Sequence, residues 1–220
     1  MIQHDPQPQC PLCDGLYCEL FFEDHRRDYL RCRHCQVVFV PSRYFLSRSD
    51  EKACYDLHQN NPSDERYRKF LSRLADPLIA RLPRGSRGLD FGSGPGPTLS
   101  VMLSEAGFPT DIYDPFYAPI DGVWRCKYDF VMASEVVEHL HRPMQNLQRV
   151  WNVLRPGGWF ALMTKRLDDV TSFGDWHYKN DPTHVIFYSQ KSLQWLASQW
   201  QAELILIGSD VALFQKHRTP

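Results

Sequence analysis

The stretch Gly88–Ser100, which reads GLDFGSGPGPTLS, decides the fold because it joins a short apolar strand to the start of a helix through a glycine-rich loop. Gly92, Gly94 and Gly96 have no Cβ, so the backbone of this loop can approach a bound molecule closely. In open α/β sheets, ligands bind at loops that follow the carboxyl ends of strands. The stretch therefore predicts a ligand-binding loop at one end of a sheet.

Two acidic residues beside the loop indicate a ligand that contains a ribose. Asp90 precedes the glycines, and Asp114 ends the next predicted strand 24 residues later, where a carboxylate can accept hydrogen bonds from both ribose hydroxyls. A dinucleotide fingerprint requires Gly or Ala at the sixth position from Gly92, which is Pro97 here, and a P-loop requires a Gly-Lys-Ser/Thr run, which the sequence lacks. The remaining pattern is an acidic residue before a Gly-x-Gly-x-Gly loop, and this pattern does not require a ligand with a pyrophosphate.

Strands and helices alternate after the loop, which is typical of a mostly parallel sheet covered by helices on both faces. The last two strands are close enough to form an antiparallel hairpin. We therefore predict the α/β class. Strands are predicted at residues 87–91, 110–114, 128–134, 159–164, 202–208 and 211–216, and helices at 97–108, 144–154 and 189–200.

Length and composition limit the classes of function that the chain can have. The 220 residues are enough for one sizeable domain and a small appendage, and the formal net charge of -1 gives no global basic field for nucleic acid. No apolar run approaches the length of a membrane span. The first residues, MIQHDPQPQCPLC, lack the basic and apolar regions of a secretory signal. We expect a cytoplasmic protein with reduced thiols and no membrane partner.

Four of the seven cysteines form the pattern C-x2-C-x18-C-x2-C. Cys10 with Cys13, and Cys32 with Cys35, can each hold one side of a tetrahedral ion, and thiolates suit zinc. Two short strands around the polar turn EDHRRD complete a zinc-ribbon pattern, for which two disulfides are the alternative. The remaining cysteines are expected to be small buried hydrophobic residues: Cys18, Cys54 and Cys126.

The chain divides into three predicted segments. Residues 1–45 form the zinc ribbon, residues 46–84 a helical connector lying over the next domain, and residues 85–220 the α/β domain. Apolar residues of the connector repeat at helical spacing, and Pro77 either kinks this helix or starts a second one. The repeating residues are Tyr67, Phe70, Leu71, Leu74 and Leu78.

Residues 85–220 resemble the class I S-adenosylmethionine-dependent methyltransferases, because several of their motifs occur in order. LDFGSGPG is similar to their first motif, DIYDPF to their second, YDFVMASEVVEHL to their fourth, and LRPGGWFALMT to the turn and strand that follow. The resemblance implies a Rossmann-like fold, an S-adenosylmethionine cofactor and methyl-transfer activity.

The resemblance also implies which residues bind the cofactor. In this family the glycine loop passes close to the methionine part, and the acid that matches Asp90 lies near its amino group. The acid that matches Asp114 holds the ribose, and Phe116 is placed to pack on the adenine. The predicted cofactor-binding residues are Asp90, Gly92, Ser93, Gly94, Gly96, Asp114, Phe116 and Ser134.

One segment departs from the family pattern. After the second motif the family has a helix and a third strand, with a polar contact to the adenine amino group. Here the segment PFYAPIDGVWRCK is short and contains two prolines. We expect the third strand to be reduced to residues 123–126, and Asp121 is the candidate for the adenine contact.

The stretch Met132–His141, MASEVVEHLH, places two carboxylates beside a histidine. On a helix, Glu135, Glu138 and His139 would share one face. Ubiquinone-pathway O-methyltransferases and small-RNA 2′-O-methyltransferases carry a similar E-x-x-E-H and a downstream histidine, which they use for a divalent ion. His184 in DPTHVIFYS resembles that histidine. Two carboxylates and two imidazoles suit Mn²⁺, Fe²⁺ or Zn²⁺ better than Mg²⁺.

Two other interpretations of this stretch stay open. His139 or His184 can act as a general base without a metal, and Glu135 is a third catalytic candidate. Alternatively, the E-x-x-E-H pattern is scaffold, because it is common across the whole family.

The segment Lys165–His184 is the predicted lid over the methyl acceptor, because long loops inside compact domains are usually functional. Its side chains offer stacking and hydrogen bonds to a planar or polar acceptor, namely Trp176, His177, Tyr178 and Asp181. The alternative is a surface loop packed on its own aromatic residues.

Three classes of function compete. The preferred class is a small-molecule acceptor such as a phenol, quinol or sugar, since some sugar C-methyltransferases also bear a ribbon. RNA is the second class, since some ribosomal-RNA methyltransferases begin with a cysteine-rich zinc module. The third class is an inactive fold that senses the cofactor or binds protein, and the intact glycine loop disfavours it. The ribbon arginines either meet phosphates or form a solvated face: Arg26, Arg27, Arg31, Arg33, Arg43 and Arg48.

Overall fold

The computed structural model describes residues 8–57, 60–169 and 171–218. Parts of the predicted segments lie outside these residues, namely 1–7, 58–59, 170 and 219–220. The strands are β1 (Cys18–Glu23), β2 (Asp28–Cys32), β3 (Val38–Phe39), β4 (Gly88–Phe91), β5 (Thr110–Tyr113), β6 (Tyr128–Ser134), β7 (Leu154–Met163), β8 (Ile186–Phe187), β9 (Glu203–Ile207) and β10 (Val211–Gln215). The helices are α1 (Arg48–Tyr55), α2 (Glu65–Ile79), α3 (Thr98–Glu105), α4 (Pro143–Val153) and α5 (Gln190–Trp200).

The larger sheet has six strands in the order β5-β4-β6-β7-β10-β9. Strand β4 pairs in parallel with β5 and β6, and β6 pairs in parallel with β7. Strand β10 runs antiparallel to both β7 and β9. The predicted α/β class, with a mostly parallel sheet and a C-terminal antiparallel hairpin, is confirmed.

Helices cover both faces of this sheet because its central strands are apolar on both sides. Phe130 and Met132 of β6 pack with buried leucines of α2 and α3 on one face. Val131 and Ala133 pack with α4 and α5 on the other face. No helix within the described ranges is long and apolar enough to cross a membrane.

The helix predicted in the connector is confirmed as α2. Asp64 caps it, because its side chain accepts hydrogen bonds from the N–H groups of Arg66 and Tyr67. Pro77 lies inside this helix, which continues to Ile79, so it does not start a second helix.

The ribbon belongs to a second sheet of four strands, in the order β1-β2-β3-β8. The predicted hairpin around EDHRRD is confirmed by the antiparallel pairing of β1 with β2. Strand β3 leaves the ribbon and pairs antiparallel with β8, which directly follows the predicted lid. The ribbon sheet therefore includes the strand that follows the lid.

The expected third strand at residues 123–126 is wrong. Asp121–Arg125 forms a 3-10 helix instead, and β5 remains the edge of the larger sheet. The fourteen residues between β5 and β6 are too few for both a crossover helix and another parallel strand. Asp121 is exposed and faces Arg149, with 3.7 Å between Oδ1 and Nη2, and it does not line the cavity described below.

Candidate functional site

A cavity of about 880 Å³ opens at the carboxyl ends of β4, β5 and β6. Every predicted cofactor-binding residue lies on its wall. From β4 and the following loop come Asp90, Gly92, Ser93, Gly94 and Gly96, and from the ends of β5 and β6 come Asp114, Phe116 and Ser134. The structure thus brings these eight residues together around one space.

The conformation of the glycine loop requires glycine at two positions. Gly92 and Gly94 have φ angles of +78° and +64°, in the left-handed region that residues with a Cβ rarely adopt. A Cβ on Gly92 would also lie 2.5 Å from Cγ2 of Val136. The N–H of Gly92 donates to the carbonyl of Tyr113 at 2.7 Å, which ties the loop to the end of β5.

Asp114 holds the loop from the other side. Its Oδ2 accepts a hydrogen bond from the N–H of Gly94 at 3.0 Å, and its Oδ1 accepts from the N–H groups of Phe116 and Tyr117. An ionised carboxylate has about four acceptor sites, so Asp114 keeps capacity for a further donor.

Three buried polar groups on the cavity wall lack some of their possible hydrogen bonds within the described residues. The hydroxyls of Ser93 and Ser134 have no hydrogen-bond partner within the part of the chain that the structure describes. Burial raises the pKa of Asp90 to about 7, a hydrogen bond from the Ser100 N–H opposes the rise, and the Asp114 carboxylate adds to it. Buried polar groups of this kind are normally paired. A polar, cationic ligand such as the methionine part of S-adenosylmethionine fits them.

Several residues that line the cavity escaped the sequence reasoning, because they belong to the connector. Glu51 and Tyr55 come from α1, Tyr67 comes from α2, and Asn60 lies between the two helices. A Cβ on Gly96 would lie 1.8 Å from the carbonyl oxygen of Asn60, so the connector touches the loop directly. The amphipathic spacing of α2 predicted that one face of this helix is buried, but it did not indicate that the connector lines the cavity.

A second group of side chains includes two histidines of the cavity wall, His139 and His184. Ligand atoms of Glu138, His139 and His184 all lie within 4.8 Å of one another. The ring centroids of the two histidines are 4.6 Å apart. The E-x-x-E-H pattern with His184 predicted a group of four residues that included Glu135, and the structure brings three of the four together.

The α-helical face predicted for Glu135, Glu138 and His139 is wrong. Glu135 has a φ angle of +53° and donates its N–H to the carbonyl of Met163, so the chain turns sharply where β6 ends. Only the 3-10 helix Val137–His139 follows. Glu135 consequently lines the cavity but is not a member of the 4.8 Å group. Burial raises the pKa of Glu135 to about 9, and the Glu138 carboxylate adds to the rise.

Glu138 is fully buried, at 0% exposure. The hydroxyl of Tyr178 donates to its Oε1, whereas its Oε2 has no hydrogen-bond partner among the described residues. Burial raises the pKa of Glu138 to about 7, and the bond from Tyr178 opposes the rise. A buried carboxylate oxygen without a partner is costly unless a cation compensates it.

Both histidines have one ring nitrogen at a backbone carbonyl. Nδ1 of His184 lies 2.7 Å from the carbonyl oxygen of Tyr178, and Nδ1 of His139 lies 3.3 Å from that of Thr183. In the neutral tautomer with the proton on Nδ1, Nε2 carries the lone pair, which is how metal-binding histidines are commonly oriented. Burial lowers the pKa of His184 to about 4 and keeps the ring neutral. Two imidazoles and a carboxylate fit a divalent cation.

The predicted lid is neither an open flap nor packed only on itself. His177, Tyr178, Asp181 and His184 line the cavity, as expected for an acceptor loop. Trp176, which was expected to stack on the acceptor, packs on Phe173 and other aromatic residues instead and is absent from the cavity wall. The loop is anchored by this aromatic cluster, which also contains Tyr29 of the ribbon.

The four ribbon cysteines form a compact group. The Sγ atoms of Cys10 and Cys35 are 3.6 Å apart, and those of Cys13 and Cys32 are 3.4 Å apart. Tetrahedral zinc with bonds of about 2.3 Å would place its sulfur atoms about 3.8 Å apart, whereas a disulfide bond is about 2.05 Å long. The group therefore fits a zinc ion and not two disulfides. The other cysteines are only half-buried, so the expectation that they are buried is wrong: Cys18, Cys54 and Cys126.

Four of the six ribbon arginines are exposed, as expected for a solvated face: Arg26, Arg33, Arg43 and Arg48. Arg27 is buried, and Arg31 lies over the ring of Phe21. Arg33 pairs with Glu19, Arg43 pairs with Asp28, and Arg48 donates to the carbonyl of Pro115. Most of the guanidinium groups are engaged within the chain.

Comparison with known proteins identifies the family. A family model described as a methyltransferase domain matches residues 58–206, about two thirds of the chain, so the chain belongs to this methyltransferase family. The chain is therefore an S-adenosylmethionine-dependent methyltransferase. No match was found among curated proteins.

Several solved structures are similar to this chain at low sequence identity. A protein from Pyrococcus horikoshii is 15% identical, with a TM-score of 0.50 over 76% of this chain and 99% of that chain. An O-methyltransferase family protein from Burkholderia thailandensis is 15% identical, with a TM-score of 0.48, and the match covers 81% of this chain but only 62% of that chain. The 1,6-didemethyltoxoflavin-N1-methyltransferase of the same organism is 16% identical, with a TM-score of 0.49 over 90% and 99% of the two chains.

Proposed function

We propose that this methyltransferase methylates an oxygen of a small hydroxylated molecule, and that Glu138, His139 and His184 hold a divalent cation beside the acceptor. The observation that carries the proposal is the Glu138 carboxylate. It is fully buried, one of its oxygens has no hydrogen-bond partner in the described ranges, and two imidazoles lie within 4.8 Å. Such a group is costly to bury without a compensating cation.

The cofactor occupies the glycine-loop side of the cavity in this proposal. Asp114 accepts hydrogen bonds from the ribose, Phe116 packs on the adenine, and Asp90 receives the amino group. The hydroxyls of Ser93 and Ser134, which have no hydrogen-bond partner among the described residues, support this placement because both residues line the same cavity.

A small acceptor is supported by the size and charge of the cavity. Its volume of about 880 Å³ must hold both the cofactor and the acceptor. Arg48 is the one arginine or lysine among the described residues that line it, whereas several carboxylates do so. A phosphate backbone requires a basic track, whereas among the ribbon arginines Arg27 is buried and Arg33 and Arg43 are paired with carboxylates. An uncharged hydroxylated molecule fits better than RNA.

The chain itself orients and shields the reacting groups. When bound, the cofactor supplies a methyl group on a cationic sulfur, and a divalent cation supplies Lewis acidity that favours ionisation of a nearby hydroxyl. The acceptor oxygen bonds to the methyl carbon while the carbon–sulfur bond breaks, and the hydroxyl proton passes to water. Tyr178 orients Glu138 by donating to it, and α1 covers the cavity with Glu51 and Tyr55. His184 is a poor general base at neutral pH, because its pKa is lowered to about 4.

A screen with labelled S-adenosylmethionine tests the acceptor class. Hydroxylated small molecules and total RNA are offered to the zinc-loaded protein before and after a mild chelator. We expect label in small molecules, loss of labelling after chelation, and recovery with Mn²⁺. Label in RNA alone, or labelling that survives complete removal of the labile metal, would overturn the proposal.

We also propose that the four ribbon cysteines hold zinc, with one ion per chain. Cys13→Ser is expected to lose the ion and loosen the ribbon, because metal binding supplies much of the folding free energy of such small modules. Metal analysis of the purified variant checks this result. Cys126→Ser is the matched control, because this cysteine lies outside the group, and it should keep the ion. Wild-type protein without zinc would contradict the proposal.

Cofactor binding is expected to release a proton below pH 7. Burial raises the pKa of Asp90 to about 7, so this carboxyl is mostly protonated at pH 6, and a bound ammonium group requires the ionised form. Affinity should therefore rise with pH until about pH 7 and then level off. Calorimetry at pH 6 in buffers of different ionisation enthalpy should show release of about one proton. Asp90→Asn should bind more weakly and without this release, and wild type that releases no proton would refute the role.

A further inference from the structure

The ribbon is joined to the acceptor side of the cavity by main-chain hydrogen bonds. Beyond the pairing of β3 with β8, the N–H of Val40 donates to the carbonyl of Val185 at 2.8 Å. The N–H of Val185 in turn donates to the carbonyl of Glu138 at 2.9 Å. A continuous path of backbone bonds therefore runs from the ribbon to the buried carboxylate residue.

Arg27 makes the second connection. It lies in the turn between β1 and β2 and is only 6% exposed. Its Nη2 donates to the carbonyls of Lys179 and Asp181, its Nη1 donates to the carbonyl of Pro182 at 3.3 Å, and its Nε donates to the hydroxyl of Tyr29 at 2.9 Å. A planar guanidinium can serve several acceptors in fixed directions, which an ammonium group cannot do.

The carbonyls that Arg27 holds belong to the turn that orients both histidines. Tyr178, directly before this turn, accepts from His184, and Thr183, directly after it, accepts from His139. Buried carbonyls outside helices and sheets need donors from elsewhere in the chain. Without Arg27, the carbonyl of Pro182 loses its side-chain donor. The carbonyls of Lys179 and Asp181 keep only the Tyr29 hydroxyl at 3.3 Å and the His184 N–H at 3.2 Å, so the turn is held less firmly.

A salt bridge anchors the same turn. Nζ of Lys179, which is buried, lies 2.7 Å from Oδ2 of Asp24 in the ribbon turn. Burial alone would raise the pKa of Asp24, but hydrogen bonds from Lys179 and from the N–H groups of Arg26 and Arg27 outweigh it and lower the pKa to about 2. The carboxylate is therefore charged at neutral pH, and this attachment persists there.

We propose that Arg27 is a positioning residue for the acceptor site. The ribbon then supports the wall of that site and is not a separate docking module. Arg27 acts through the turn at residues 179–182, which sets the directions of the His139 and His184 rings. The inference rests on the proposed function of those histidines as cation ligands.

Arg27→Gln tests the inference in the zinc-loaded full-length protein. Mn²⁺ is the probe, and its affinity is measured by electron paramagnetic resonance with S-adenosylhomocysteine present. We expect Mn²⁺ binding to weaken by about tenfold or more, as for loss of groups that orient metal ligands. Zinc content and S-adenosylhomocysteine affinity should remain unchanged. Arg33→Gln is the matched control, because this exposed ribbon arginine pairs with Glu19, and it should bind Mn²⁺ as wild type does.

A second readout separates this inference from the proposed function. Nitrogen-15 spectra report the protonation and tautomer of the His139 and His184 rings without any metal. If wild type binds no Mn²⁺, the proposed cation site is wrong, and the spectra alone decide the role of Arg27. Arg27→Gln should shift both imidazole signals, and Arg33→Gln should shift neither. If Arg27→Gln fails to fold, Lys179→Met, which removes the other attachment, replaces it with the same expectations. A folded variant with wild-type ring signals and Mn²⁺ affinity overturns the inference.

Discussion

Glu138→Gln is expected to reduce methyl transfer by about a hundredfold or more while S-adenosylmethionine still binds. The substitution keeps the shape of the side chain but removes the charge that would hold a divalent cation. Lewis acidity contributes several kcal/mol to such reactions, and each 1.36 kcal/mol changes the rate about tenfold. The measurement is the initial rate of label transfer at saturating cofactor, together with the affinity for Mn²⁺, which should be largely lost.

The stability of the Glu138→Gln variant shows whether its loss of activity comes from loss of the cation or from unfolding. Because burial raises the pKa of Glu138 to about 7, the ionised group destabilises the metal-free fold at higher pH. The neutral glutamine should therefore leave the metal-free protein as stable as wild type at pH 8, or more so. Glu105→Gln, at an exposed ion pair with Arg68, is the control and should change neither rate nor Mn²⁺ binding. Full activity in Glu138→Gln would exclude the cation role.

Gly94→Val is expected to abolish S-adenosylmethionine binding. The residue has a φ angle of +64°, lines the cavity, and donates its N–H to Asp114. A β-branched side chain would both strain this backbone and fill space that the cofactor needs. Calorimetry with S-adenosylmethionine measures the loss directly.

Gly107→Val is the matched control for Gly94→Val. Gly107 has a φ angle of +89°, and a Cβ there would meet nothing within 4 Å. Both variants should lose about 1–2 kcal/mol of stability through backbone strain. Only Gly94→Val should lose the cofactor. If it binds S-adenosylmethionine at wild-type strength, the cofactor does not occupy the glycine-loop side of the cavity.

The features that the sequence predicted well depend on local patterns. The glycine loop, its two aspartates and the alternating strands are set by residues close in the chain, and they lie where they were expected apart from the strand predicted at residues 123–126. The cysteine spacing likewise predicted a group whose Sγ atoms lie at zinc-compatible distances.

Features that depend on unusual backbone or on distant contacts were missed. Glu135 adopts a left-handed conformation that its residue type does not signal, so the pattern E-x-x-E-H wrongly predicted a helical face. Arg27 meets Lys179 across 152 positions of the chain, which no periodicity reveals. The ribbon therefore resembled a separate module in the sequence, although its sheet includes β8, the strand that follows the acceptor loop.

A crystal structure of the zinc-loaded protein with S-adenosylhomocysteine and Mn²⁺ tests the central claim most directly. Anomalous diffraction at the manganese edge locates the ion independently of the zinc. We predict S-adenosylhomocysteine along the glycine loop and one manganese peak bonded to Glu138, His139 and His184, facing the cofactor sulfur across the cavity. A map with the cofactor product in place but no manganese peak at these three residues would contradict the account.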